Sequence, residues 1–127
     1  MRSLIQFIIQ INRIHLPFHQ TDLLIMNRNK VLTEAIDNTK NGIISKKILS
    51  GVNGNVTLFS FDKGQSLTEH STPHAVFLMA LEGEADFSLG KESFTFLKGE
   101  YLILEPGELH ALNAVTEFKM LMALMKR

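Results

Sequence analysis

Hydrophobic and polar positions alternate strictly through the middle of the chain. Ala85, Phe87 and Leu89 interleave with Glu84, Asp86 and Ser88, and Phe94 and Phe96 interleave with Ser93 and Thr95. Successive side chains of a strand point to opposite faces, so this period of two predicts two strands, each with one buried and one wet face. Gly90-Lys91 between them predicts a hairpin. Upstream, 43–49 and 55–61 read as another pair, the second rich in Val, Thr and Phe, with Asn53-Gly54 as the turn signal. Asp62-Lys63-Gly64 then turns the chain toward a mostly apolar run at 75–81. Lys98-Gly99 precedes a strand at 101–104, and Glu105-Pro106-Gly107-Glu108 is a further turn. Segments 110–115 and 118–125 complete the set. About eight short strands, with turn signals roughly every ten residues, predict an all-β sandwich or barrel.

Two stretches depart from this pattern. From Met120 to Met125 every side chain is apolar, so both faces of that strand need cover, which a second subunit would supply. Ahead of the strands, Val31, Leu32, Ala35 and Ile36 form an i, i+4 stripe that predicts a helix of about two turns before Asn41-Gly42. Residues 1–26 form an extension to the domain at 27–127. In it Leu4, Ile5, Phe7, Ile8, Ile9, Ile11 and Ile14 leave Arg2, Gln6, Gln10 and Arg13 to one side at a helical period. Three readings apply: a signal peptide, which the two glutamines and the lack of a small-residue cleavage site oppose; an amphipathic helix lying on a neighbour or a membrane surface; or translation that begins at Met26. The third is favoured, and intact-mass measurement of protein made from its native start decides it. The run is too short and too polar to span a bilayer.

Composition narrows the function classes. A chain of 127 residues makes one domain with a real core. Thirteen basic and thirteen acidic side chains cancel, leaving no basic stripe for phosphates, so no nucleic-acid partner is expected. No membrane partner is expected either. The absence of cysteine excludes disulfides and thiolate chemistry and fits a reducing cytoplasm. No Gly-rich phosphate loop, nucleophile elbow or Ser-His-Asp order is present.

The chemistry rests on His70, His74 and His110. Positions 70, 72 and 74 share one face of a regular strand, which would aim His70 and His74 inward, although Pro73 is poorly tolerated within a sheet. His110 follows the Pro-Gly turn and would meet them from the opposite side. Three neutral imidazoles with an open fourth place suit catalytic zinc, and imidazole also serves iron, copper and nickel. The plainer reading of each is a hydrogen-bonded residue at a turn. Phe59, Phe61, Met79, Phe87, Met120 and Met122 are candidate walls of an apolar pocket, or ordinary core. Tyr101 and Glu105 are candidate pocket groups able to move a proton. Glu69 should face away from His70 as a surface charge, and Glu105 and Glu108 otherwise keep a turn wet.

Gly99, Pro106, Gly107, His110 and Asn113 resemble the second motif of the cupin superfamily in full. The first motif is matched in part: His70 takes the first His place and Gly83 the closing Gly. Thr72 stands where the second His would be, and Val76 near the place of the Glu. His74 is an extra histidine two residues past the vacant place. The resemblance covers roughly 40–125. It implies an all-β, cupin-like jelly-roll β-barrel with a short N-terminal helical segment, a homodimer, and a small-molecule ligand. It also implies a divalent metal ion (Zn, Fe, Mn or Ni) in the barrel; joined to the reading of the residues above, the expected ligands are His70, His74 and His110, with Phe59, Phe61, Met79, Tyr101 and Glu105 around the bound molecule. Of the family's four usual ligands only His70 and His110 stand in place. Two functions follow: a metal-dependent enzyme on a small molecule, or a non-catalytic binding or sensing module with a metal-free site. The sequence names no substrate.

Overall fold

A computed structural model describes residues 28–126. Nine strands follow one another: β1 (Ile43–Gly51), β2 (Gly54–Phe61), β3 (Ser66–His70), β4 (Ala75–Glu82), β5 (Glu84–Leu89), β6 (Glu92–Leu97), β7 (Tyr101–Leu104), β8 (His110–Ala114) and β9 (Phe118–Met125). They form a five-stranded sheet in the order β1-β2-β9-β4-β7 and a four-stranded sheet in the order β3-β8-β5-β6. All pairings are antiparallel. The all-β, cupin-like expectation holds in this form. Closure into a hydrogen-bonded barrel does not: among the described residues no ladder joins the two sheets, which face each other across a shared core.

Two local expectations are corrected. The helix expected from the stripe at 31–36 is a single 3-10 turn, Leu32–Glu34, with no side-chain cap at Val31. Nothing in the segment supplies the capping and length that offset the nucleation cost of a helix. Strand register also does not run through 70–74. β3 stops at His70 and β4 begins at Ala75, because Pro73 has no amide hydrogen to give to a ladder. That break is also why nine strands stand where about eight were expected. The extension at 1–26 lies outside the described residues, and no helix among those described is long and apolar enough to cross a membrane.

The inner faces of both sheets bury one core. Phe61, Phe96 and Phe118 are at most 1% exposed and pack with ring centroids 5.9 and 6.0 Å from Phe118, filling one end of the sandwich. A second cluster lies on the outer face of the five-stranded sheet, where Ile36 packs with Leu58 and Leu81 beside Leu32, Met79 and Leu121. Two lysines hold the 3-10 turn there by its carbonyls. Lys119 Nζ donates to Thr33 O at 2.8 Å and lies 3.5 Å from Glu82 Oε2, and Lys46 Nζ donates to Ala35 O at 2.9 Å.

Candidate functional site at the His70–His110 pair

The end of the sandwich away from the aromatic cluster is organised by one turn. Gly107 has φ +85°, and Glu108 N–H donates to Glu105 O at 3.2 Å, so residues 105–108 make the turn that Pro followed by Gly favours. Gly107 N–H also donates to Thr72 O at 2.8 Å, tying the link between β3 and β4 to the start of β8. Below it, Ser66 Oγ donates to Asn113 Oδ1 at 2.6 Å and staples β3 to β8. Asn113 thus has a positioning role on the outer face.

This frame places His70, the last residue of β3, directly across from His110, the first of β8. Their ring centroids are 4.2 Å apart at 58°. The two rings are held alike: His70 Nδ1 lies 2.7 Å from Thr68 O, and His110 Nδ1 lies 3.0 Å from Glu108 O. A carbonyl oxygen only accepts, so Nδ1 carries a hydrogen in both rings; in that tautomer Nε2 is the acceptor nitrogen. His110 is 9% exposed, with the Phe87 ring parallel to it at 6.3 Å, whereas His70 is exposed.

Both histidines line a cavity of about 290 Å³ between the sheets. Its walls are Phe59, Leu67, Val76, Leu78, Phe87, Leu104, Leu112, Met120, Met122 and Leu124, and Thr72 is the one other polar side chain in them. No Lys, Arg, Asp or Glu is among these lining residues.

The residues singled out from the sequence therefore divide. His70, His110, Phe59, Phe87, Met120 and Met122 meet at the cavity. His74 does not line it; its backbone N–H donates to Thr72 Oγ1 at 3.3 Å, and its ring Nδ1 is buried without a hydrogen-bond partner. Phe61 sits in the aromatic end of the core. Met79 packs on the outer face with the Ile36 cluster. Tyr101 is 63% exposed and stacks on Phe77 at 5.4 Å, also outside. Glu105 is exposed, and its backbone N–H donates to Glu108 Oε1 at 2.7 Å. Sequence reasoning passed over Leu78, Leu104, Leu112 and Leu124. The usable signal was parity: on β4 and β7 the even-numbered positions face inward, with Val76 paired to Leu104 and Leu78 to Leu102.

A family model for the cupin domain matches residues 57–125, more than half of the chain. The chain belongs to the cupin family. Solved structures agree. A conserved protein of unknown function from Streptococcus pyogenes is 28% identical with a TM-score of 0.74, over 80% of this chain and 89% of that one. A cupin superfamily protein from Desulfitobacterium hafniense is 23% identical with a TM-score of 0.76, over 80% and 93%, and supports the fold alone. A cupin 2 conserved barrel domain protein from Leptotrichia buccalis is 35% identical with a TM-score of 0.70, over 75% of this chain and 46% of its own longer chain. No curated protein matches.

As a cupin, the chain has an unusual donor set at the place where the resemblance puts a metal. Two histidines and Thr72 are the polar residues that line the cavity, and Val76 occupies the wall where a carboxylate would stand. Among the described residues no group of three His, Cys, Asp or Glu side chains comes together. A site with three strong protein ligands and one open position is not formed by these residues.

Proposed function

We propose that this cupin is a small-molecule binding protein whose apolar cavity takes a ligand with one polar end, anchored by His70 and His110. The observation that carries this is the His70–His110 pair, ring centroids 4.2 Å apart with both Nδ1 atoms held by backbone carbonyls, lining an otherwise apolar chamber. Ligand sites are commonly of this kind, apolar walls with a few convergent polar groups. Binding or sensing is favoured over catalysis because no charged side chain and no third strong metal ligand lines the cavity.

A second reading rests on the same two histidines. Imidazole Nε2 is a common metal ligand, and His70 and His110 would hold a divalent ion such as Zn, Fe, Mn or Ni, with solvent or the bound molecule completing its shell. Such an ion would polarise a ligand oxygen. Elemental analysis of untagged protein, repeated on His110→Ala, separates the readings. Metal-free wild-type protein that still binds small apolar molecules supports the first. Stoichiometric metal that disappears in His110→Ala supports the second.

We further propose a homodimer, working in a reducing cytoplasm to which a cysteine-free chain is suited. The outer face of the five-stranded sheet supports the dimer: Leu49, Tyr101, Ile103 and Met125 are exposed by 67, 63, 49 and 69%. Exposed apolar side chains on this sheet, Tyr101 and Ile103 side by side on the edge strand β7 among them, are the kind of surface a partner covers.

A further inference from the structure

We propose that the ligand of the His70–His110 cavity is a small, neutral hydroxyl compound with an apolar ring or chain, of the phenol or alicyclic alcohol class. This rests on the reading that the cavity holds a small molecule and narrows it by the hydrogen-bonding sense of the polar end. With Nδ1 committed to Thr68 O and Glu108 O, Nε2 is the polar ring atom that each of these cavity-lining histidines has left, and in the Nδ1–H tautomer it is an acceptor. Thr72 Oγ1 already receives the His74 N–H, so its own hydrogen is free to donate. The polar groups thus present two acceptors and one donor, and a hydroxyl group answers one of each: its hydrogen goes to Nε2 of the buried His110 and its oxygen accepts from Thr72, while the exposed His70 ring can share its own acceptor with water.

Other head groups fit less well. A carboxylate would face two lone pairs with no Lys or Arg among the lining residues. An ammonium would find acceptors, but its charge would leave water for a chamber with no carboxylate in its walls, at a steep desolvation cost. A ketone or ester can only accept, which leaves both Nε2 atoms unpaired. Size points the same way. The cavity, about 290 Å³, is of small-molecule size and takes a single ring or a short chain.

Calorimetric titration of the full chain, dialysed against chelator, with p-cresol, toluene and p-toluate tests the proposal, since these share a methylated ring and differ in the head. p-Cresol should bind about tenfold more tightly than toluene, the worth of one net hydrogen bond, and p-toluate should not displace it. In His110→Leu, which removes the acceptor, the ratio of p-cresol to toluene affinity should fall below about threefold, whatever the change in toluene binding itself. Thr72→Val should reduce the same ratio and serves if His110→Leu does not fold. Equal binding of p-cresol and toluene, tighter binding of p-toluate, or an advantage that survives in both variants overturns the hydroxyl class and leaves the pocket standing. If none of the three binds, the pocket reading falls together with this one.

Discussion

Gly83 closes the first motif at φ +83°, between the end of β4 and the start of β5. The backbone carbonyl of Glu117 lies where a Cβ on this residue would be, so the close approach of the β8–β9 link adds to the left-handed backbone. Gly64 has nearly the same φ, +84°, but open space around it. Gly83→Ala should therefore lose about 3 kcal/mol of stability in urea unfolding, and Gly64→Ala about 1 kcal/mol. Equal losses would show that the contact with Glu117 yields easily. The same scale explains which site residues could be read in advance. His70 and His110 were visible by type and by motif position. Met79 and Tyr101 were visible as apolar and aromatic residues, but their odd positions pair with each other on the outer face. One residue of parity decided against them.

Elements show what local pattern does not carry. The stripe at 31–36 has helical spacing, yet it forms one 3-10 turn because its anchors are tertiary: Ile36 buried against Leu58 and Leu81, and two lysine ammonium groups on its carbonyls. Lys119 is 7% exposed, so its truncation leaves Thr33 O unpaired under the turn. Lys119→Ala should cost about 2 kcal/mol, since hydrogen bonds to charged groups are the stronger kind. Amide exchange at Glu34 and Ala35, which donate to Val31 O and Leu32 O within the turn, should quicken, while amides of β5 stay protected. Unchanged exchange at those two positions would mean the turn is held by packing alone. Pro73 acts at this scale too. It separates β3 from β4, and the freed link is captured by the bond from Gly107 N–H to Thr72 O, which places Thr72 at the cavity.

At the scale of the whole molecule, the two faces of the five-stranded sheet have different work. The inner face walls the cavity through Val76, Leu78, Met120 and Met122. On the outer face the 3-10 turn packs over Leu58 and Leu81, and Tyr101 and Ile103 are exposed. If that face seats a second copy, Ile103→Asp should convert a dimer to a monomer in sedimentation velocity while folding is retained, because the charge would be buried unpaired only in the dimer. A dimer that persists in Ile103→Asp places the interface elsewhere. The sequence by itself determined the strands, their turns and the cupin motifs, since period-two alternation and Gly, Pro and Asn signals act over a few neighbouring residues. Only the tertiary structure decided which face of each strand looks inward, that His70 and His110 stand ring to ring while His74 lies apart, and that the chamber they share has no charge in its walls. Those outcomes depend on pairing β3 with β8 and β4 with β7 and β9, across up to about fifty residues of chain, and no local pattern encodes such a register.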